Sequence, residues 1–180
     1  MHHRGMTPAD VFTGPRVTLR APTLDDAEPL FDIASDPDVS RYMSWRPHRN
    51  VDETRRVITD VLNAGGETTR LIDLREDGSV IGAIGWRRPQ PHSVDFGYYL
   101  GRQWWGQGFM SEAVRLVLDC AERDPTVYRI SAYCYVDNTA SAKVLERSGL
   151  SLEGRLCRYT LLPNISDEPQ DCLLFAKAVK

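Results

Sequence analysis

Three closely spaced glycines stand in the segment YYLGRQWWGQGFMSEA, which runs from residue 98 to residue 113. Gly101, Gly106 and Gly108 separate a strand-like run of aromatic residues from a helix-like run. Glycine at such a junction lets backbone N–H groups face outward, and the N-terminus of the helix adds partial positive charge. This combination typically binds a phosphate group, so phosphate binding is the chemistry that we expect here.

The P-loop pattern G-x-x-x-x-G-K-[ST] shares the spacing of Gly101 and Gly106. In this chain Gln107 stands in place of the P-loop lysine, and Gly108 stands in place of the serine or threonine. The lysine charge and the magnesium-binding hydroxyl are therefore both missing, which argues against a nucleotide P-loop.

The dinucleotide pattern G-x-G-x-x-G fits Gly106 and Gly108, but Ser111 replaces its third glycine. Asp137 ends the next predicted strand, where an acid that binds the ribose would belong. The pattern normally follows the first strand of a continuing βαβ array, whereas three antiparallel strands are predicted before it here. An NAD(P)-binding oxidoreductase therefore remains an alternative.

Hydrophobic periodicity and turn residues predict the elements that position this turn. Helix caps are expected at Thr23 with Asp26 in a capping box, at Asp52, and at Asp137 or Asn138. Glycines are expected to end two helices, at Gly65 with Gly66 and at Gly149. The order predicts an α+β fold with a mixed sheet rather than a doubly wound α/β sheet. Strands are predicted at 16–22, 69–76, 79–88, 93–101, 128–136, 150–162 and 171–179, and helices at 23–34, 51–66, 109–123 and 137–149.

Two blocks of the sequence resemble the GNAT N-acetyltransferase superfamily. QWWGQG, residues 103–108, is similar to its Q/R-x-x-G-x-G/A signature, and residues 96–113 resemble F/I-G-Y-x-L…W-G-x-G-x-x-x-E-A of the ribosomal-protein-alanine (RimJ/RimL-like) branch. DNTASAKVLERSGLSLEGRL, residues 137–156, resembles that branch's N-x-x-S-x-x-V-x-E-x-x-G-F…E-G block, with Leu150 where Phe is commoner. The similarity extends from about Pro15 to Lys177.

This resemblance implies a GNAT acyl-CoA N-acyltransferase fold, in which a mostly antiparallel sheet contains a splayed parallel strand pair and is flanked by helices. It implies transfer of an acetyl group from acetyl-CoA to a primary amine, by direct attack in a ternary complex. The acceptor stays open between a protein N-terminus and a small-molecule amine, and a larger donor such as succinyl-CoA also stays open. A non-catalytic CoA-binding sensor is the alternative from another functional class.

The resemblance also implies the cofactor-binding residues. Backbone amides of the glycine turn would surround the pyrophosphate, a backbone N–H near Leu100 would polarise the thioester carbonyl, and Asn138 would contact the pantetheine arm. A plain helix cap is the alternative role for Asn138, and the two roles are compatible. The implied residues are Leu100, Gln103, Trp105, Gly106, Gln107, Gly108, Phe109, Met110, Asn138 and Ser141.

Ser141 is the candidate that would protonate the departing thiolate, although a small residue at a helix contact would serve packing as well. Tyr133, Tyr135 and Tyr159 keep open the tyrosine acid that other members of the superfamily use. Asp95 is a candidate base that would act through water, with Glu153 and His92 as alternatives. Three further predictions concern other positions. Glu112 matches the helix Glu of the branch, but its negative charge also suits the first turn of a helix. The acceptor amine is expected to lie near Tyr42, Trp45 and Arg46. Cys134 is expected to be a packed thiol rather than a nucleophile.

Composition restricts the functional class. The 180 residues are enough for one domain, predicted at 15–180 after a flexible N-terminus at 1–14. A net charge of −3 gives no support for nucleic-acid binding. The four cysteines are far apart and form no C-x-x-C pair, so reduced thiols in a cytoplasmic protein without a metal site are expected. No apolar run reaches the roughly 20 residues that cross a membrane. Because GNAT proteins are often dimers, a homodimer is an open expectation.

Overall fold

The computed structural model describes residues 11–62 and 67–179. The strands are β1 (Phe12–Thr13), β2 (Val17–Arg20), β3 (Glu67–Leu74), β4 (Val80–Gln90), β5 (Ser93–Leu100), β6 (Arg129–Tyr135), β7 (Ser151–Thr160) and β8 (Gln170–Ala178). The helices are α1 (Ala27–Ala34), α2 (Pro37–Ser40), α3 (Val51–Val57), α4 (Phe109–Arg123) and α5 (Thr139–Arg147). Short 3-10 turns at Leu24–Asp26 and Arg102–Trp104 precede α1 and α4, and a π-helical turn at Ile58–Leu62 extends α3.

The eight strands form one mixed sheet in the order β1-β2-β3-β4-β5-β6-β8-β7, in which only β5 and β6 are parallel neighbours. Their ladder covers only Ser93–Asp95 against Arg129–Ser131, so the two strands separate beyond it. Strand β5 continues to Leu100 and β6 to Tyr135, and a gap opens between them. The predicted α+β class, the mixed sheet and the splayed parallel pair are confirmed.

Helices cover both faces of the sheet, and each face has its own apolar core. On one face, Ile84 and Phe96 of the sheet pack with Val114 and Leu118 of α4. On the other face, residues of α1 and the end of α3 pack against β3 and β4, with Ile58 fully buried. Strands β4 and β5 are therefore packed on both faces, and the gap opens between β5 and β6 at the side of this packed region.

Several predicted helix ends are confirmed and one cap is wrong. The Asp26 carboxylate accepts from the Thr23 N–H at 2.7 Å, as the capping box requires. The cap of α3 is Asn50, whose side chain accepts from Glu53 N, and not Asp52. Two residues before the expected position, Asn50 has extended backbone, whereas Asp52 already lies inside the helix. Gly149 follows α5 with φ +89°.

The predicted flexible segment 1–14 and the helix end at Gly65 and Gly66 fall partly or wholly outside the described residues. Where the structure describes that first segment, Phe12 and Thr13 pair with Leu19 and Thr18 and form the edge of the sheet. None of the helices within the described ranges is both long enough and apolar enough to cross a membrane. No group of three or more His, Cys, Asp or Glu side chains among these residues is placed to hold a metal ion.

Candidate active site

The glycine turn between β5 and α4 needs glycine for two different reasons. Gly106 and Gly108 have φ of +74° and +83°, a conformation that side chains with a Cβ rarely adopt. Gly101 has an ordinary φ of −60°, but a Cβ there would lie 2.5 Å from the ring of Trp104. Positive φ at two positions, with Gly108 as the N-cap of α4, gives the turn an anion-binding shape.

Arg16 and Glu112 hold this turn against the N-terminal part of the chain. The Arg16 guanidinium donates to the Gln107 carbonyl oxygen at 3.0 Å and to the Glu112 carboxylate at 3.0 Å, and it lies 4.6 Å from the centre of the Phe109 ring. Glu112 also accepts from the backbone N–H groups of Arg16 and Val17, at 2.7 and 3.1 Å. Glu112 therefore connects α4 to β2 as well as occupying the first helical turn.

Trp105 connects the other end of the turn to β5. Its indole N–H donates to the Leu100 carbonyl oxygen at 2.7 Å, while the ring remains 47% exposed. Gln107 donates to the Gln103 carbonyl oxygen at 2.8 Å. These two side chains therefore satisfy the Leu100 and Gln103 carbonyl oxygens within the segment itself.

Two hydroxyl groups meet across the gap between the splayed strands. The Tyr98 hydroxyl oxygen, on β5, lies 2.9 Å from the Ser141 hydroxyl oxygen and 3.3 Å from the Ser141 carbonyl oxygen. Asn138 caps α5 by accepting from Ser141 N at 3.1 Å, so the predicted cap is confirmed. Burial raises the pKa of Tyr98 above its ordinary value of 10, so its hydroxyl stays protonated at neutral pH.

A cavity of about 420 Å³, here called the glycine-turn cavity, lies between the turn, the end of β5 and the start of α5. Lys143 and Arg147, one helical turn apart on α5, add two cationic side chains to its wall. Gln103, Gln107 and Phe109 do not line it. Of the ten residues expected at a cofactor, seven do so: Leu100, Trp105, Gly106, Gly108, Met110, Asn138 and Ser141.

A second cavity of about 450 Å³, here called the aromatic cavity, opens on the other side of the gap. Tyr42 stacks at a tilt on Tyr135, with 5.5 Å between ring centres, and Trp45 meets Tyr99 edge-on at 5.5 Å. Both cavities are lined by the same six residues at the gap: Tyr42, Met43, Tyr98, Tyr99, Asn138 and Ser141. The Tyr98–Ser141 pair is thus the place where the two cavities meet.

Of the three candidate bases, only Asp95 lines the aromatic cavity. Its carboxylate accepts from the Ser131 hydroxyl at 2.7 Å and from Arg87 at 3.2 Å. Asp95 ends the parallel ladder, three residues before Tyr98, which places it roughly 10 Å away along β5. Glu153 instead pairs with Arg129 on the exposed face of the β7 edge, and His92 lies in the β4–β5 turn.

The tyrosine candidates and Cys134 are placed differently. Tyr133 and Tyr135 line the aromatic cavity, and Tyr159 packs edge-on against Tyr133 with 4.9 Å between ring centres. Burial raises the pKa of the Tyr133 hydroxyl above 10 and that of the Cys134 thiol to about 11. Cys134 is 6% exposed, so a thiolate nucleophile there is disfavoured at neutral pH.

Asn164 joins two loops that contribute residues to the aromatic cavity. Its side-chain amide donates to the Ser40 carbonyl oxygen at 2.6 Å and to the Trp45 carbonyl oxygen at 2.7 Å. The β7–β8 loop is thereby tied to the loop before α3, which supplies Tyr42 and Trp45. Arg46, expected on the acceptor side, lies 3.9 Å from Asp167 and is absent from the lining of either cavity.

Sequence reasoning did not identify Arg16, Tyr98, Lys143, Arg147 or Asn164. Lys143 and Arg147 carried a usable signal, because they are four residues apart and therefore share one face of the predicted helix that also contains Asn138 and Ser141. The Arg16 and Asn164 contacts join residues 96 and more than 100 positions apart, for which a single sequence offers no local signal.

Comparisons with known proteins agree with this geometry. A family model described as an acetyltransferase (GNAT) domain matches residues 16–151. The uncharacterized N-acetyltransferase p20 of Bacillus licheniformis is 36% identical over 149 residues, which cover 80% of this chain and 84% of p20. The ribosomal-protein-serine acetyltransferase of Escherichia coli (strain K12) is 28% identical over 71% of this chain and 72% of its own length.

Solved structures share the fold at lower identity. The microcin C7 self-immunity acetyltransferase MccE, in complex with acetyl-CoA and AMP, superposes with a TM-score of 0.83 at 21% identity, covering 96% of this chain and 97% of its own. RimL, a ribosomal L7/L12 alpha-N-protein acetyltransferase in complex with coenzyme A, superposes with a TM-score of 0.80 at 21% identity, covering 94% of this chain and 98% of RimL.

Proposed function

Since the chain belongs to the GNAT acetyltransferase family and is an N-acetyltransferase, we propose that it moves an acetyl group from acetyl-CoA to a primary amine, at a protein N-terminus or on a small molecule. The amine attacks directly in a ternary complex, and residues 15–180 act as one catalytic domain. The observation that carries this proposal is the meeting of two cavities at the Tyr98–Ser141 pair, one beside a phosphate-binding turn and one lined by aromatic rings.

The glycine-turn cavity is the proposed site of acetyl-CoA. Backbone N–H groups of the turn and the start of α4 bind the pyrophosphate, where the helix terminus adds positive charge. Lys143 and Arg147 line the same cavity and offset further phosphate charge. Arg16 and Glu112 position the turn without contacting acetyl-CoA: Arg16 donates to the Gln107 carbonyl oxygen, and Glu112 anchors the first turn of α4 to the Arg16 backbone. The fit supports acetyl-CoA better than NAD(P), because Lys143 and Arg147 line the cavity, whereas Asp137, the acid expected at a ribose in the dinucleotide interpretation, does not.

The gap brings the thioester to Ser141 and the amine to the aromatic cavity. A new N–C bond forms while the C–S bond breaks, so the amine must lose one proton and the departing sulfur must gain one. Ser141 donates toward the sulfur, and Tyr98 on β5 holds the Ser141 hydroxyl in place. A backbone N–H near Leu100 polarises the thioester carbonyl. Asp95 takes the amine proton through water, as its distance of roughly 10 Å along the strand requires.

The experiment combines acetyl-CoA binding with thiol release on a panel of amines. Saturating acetyl-CoA at 100 times its Kd should stabilise the protein by about 2.7 kcal/mol. Ser141→Ala should keep that stabilisation and lose about 10²-fold in kcat, because a positioned acid contributes about that much. Ser148→Ala is the matched control, since it removes a hydroxyl from the end of the same helix, where Ser148 Oγ donates to the Val144 carbonyl oxygen and lines neither cavity.

Three outcomes would contradict the proposal. Equal kcat for Ser141→Ala and Ser148→Ala would exclude Ser141 as the group that donates a proton to the departing sulfur. Binding of acetyl-CoA without turnover of any amine would favour a CoA-binding sensor. Stabilisation by NAD or NADP alone would exclude acetyl-CoA as the donor and restore the dinucleotide interpretation of the turn.

A further inference from the structure

The aromatic cavity is defined by apolar surface more than by charge. Besides the rings already described, Val57, Val61 and Leu62 at the end of α3 line one side, and Leu162 of the β7–β8 loop lines another. Leu162 is 4% exposed and Val61 is 58% exposed, so the apolar lining continues from the inner wall to the rim.

The charged side chains that line this cavity compensate one another. Arg87 and Asp95 form an ion pair at 3.2 Å, and the other Asp95 oxygen accepts from Ser131. His48 lines the same cavity with Nδ1 2.8 Å from the Thr54 hydroxyl, and burial lowers its pKa below 6.5. At neutral pH the described lining therefore carries one cation and one anion, already paired, and a neutral imidazole.

A primary amine can enter such a cavity, but a second cation cannot do so without cost. Aromatic faces attract one ammonium group, and removal from water lowers its pKa and yields the neutral amine that the reaction needs. A second ammonium group would be buried without a counter-charge, which costs several kcal/mol unless it finds one.

Resting on the proposed function, we infer that the acceptor is a monoamine whose amino group stands next to an aryl or alkyl group. A volume of about 450 Å³ is sufficient for such a group, and Asn164 ties together the two loops that supply Trp45 and Leu162 to its lining. Two sources share this chemistry: a small arylalkyl amine, and an N-terminal residue with a large apolar side chain. Polyamines and amino sugars with several charges are excluded.

The test compares two amines that differ only in a second charge, n-hexylamine and 1,6-diaminohexane, by thiol release from acetyl-CoA. We expect kcat/KM for hexylamine to exceed that for the diamine by about tenfold or more, although the diamine has two reactive ends. To separate the sources, 2-phenylethylamine is compared with peptides that begin with Phe or with Gly. Turnover of the Phe-led peptide above the Gly-led peptide points to an N-terminal acceptor, and turnover of the free amine alone points to a small molecule.

A variant that introduces a negative charge tests directly whether the lack of an unpaired anion in the aromatic cavity causes the preference for a monoamine. Val61→Glu places a carboxylate at the rim of the cavity and should reduce the preference for hexylamine to about threefold or less. Val11→Glu is the matched control, because Val11 is 60% exposed and lies outside both cavities; it should keep the wild-type preference.

Equal or better use of the diamine by the wild type would overturn the inference and leave the proposed function intact. The same holds if Val61→Glu and Val11→Glu behave alike. Failure of every amine despite acetyl-CoA binding would instead overturn the proposed function and the inference with it.

Discussion

Replacing Gly106 by alanine tests whether the backbone conformation of the turn, rather than free space, requires glycine. No heavy atom lies within 4 Å of a Cβ built at Gly106, so alanine would meet no clash. The φ of +74° is the one obstacle. Gly154 on β7 is the matched control, because its Cβ would also have nothing within 4 Å and its φ is not in the positive range.

The expected magnitudes come from two opposing effects. Left-handed backbone costs a residue with a Cβ about 1–2 kcal/mol, whereas Gly→Ala at a compatible site stabilises by about 0.4–1 kcal/mol through the unfolded chain. Gly106→Ala should therefore lose up to about 1.5 kcal/mol of unfolding free energy, and Gly154→Ala should gain a few tenths. The difference between the two variants should be about 1–2 kcal/mol.

Urea unfolding measures this difference, and the KM for acetyl-CoA measures its effect on the site. Because the turn can relieve the strain only by leaving its phosphate-binding shape, Gly106→Ala should raise that KM by up to about tenfold, the equivalent of about 1.4 kcal/mol. Gly154→Ala should leave it unchanged. Equal unfolding midpoints and equal KM values for the two variants would refute the argument from positive φ.

Three further predictions address the contacts around the site. Glu112→Ala should cost about 3 kcal/mol in urea unfolding, because two backbone N–H groups and Arg16 lose their acceptor, and Glu112→Gln should recover part of it; equal stability of both variants would count against this. Asn164→Ala should raise the KM for the amine and not for acetyl-CoA, since it releases the loop that carries Trp45; a rise in both would contradict it. His48 has a lowered pKa in the folded protein, so the unfolded chain binds a proton at His48 more readily, and the free energy of unfolding should fall as the pH drops below about 6.5. His48→Gln should reduce this fall between pH 7 and 5.5. An unchanged dependence of the unfolding free energy on pH in that variant would exclude His48 as the cause.

Local signals were sufficient for most of the fold. The helix predicted at 109–123 coincides with α4, because its apolar spacing is regular and Gly108 stands before it. The hairpins from β3 to β5 follow from alternating apolar residues and short turns, and Asn138 with Gly149 defines both ends of α5. The short α2 and β1 were not predicted, since four and two residues are too few to show a period.

Only those residues of the site that belong to a recognisable sequence motif were predicted. Residues of the glycine turn and Ser141 carry recognisable patterns, whereas Tyr98 is defined as a partner of Ser141 only by the crossing of β5 and α5. Asp52 was wrong as the α3 cap because Asn50, Asp52 and Glu53 all suit a helix start, and only the backbone distinguishes them. The balance of Arg87 with Asp95 depends on their register in neighbouring strands, which composition does not reveal.

The three-residue ladder between β5 and β6 has a consequence for how the protein could diversify. Beyond Asp95 and Ser131 no sheet hydrogen bonds join the two strands, so the width of the gap depends on the volumes of apolar side chains such as Phe96 and Ala132 packed beside it. Hydrogen-bond geometry permits only certain strand separations, whereas side-chain volume changes in steps of one methylene. Repacking a few apolar residues can therefore widen or narrow the channel for longer acyl chains without altering any polar group that performs the reaction.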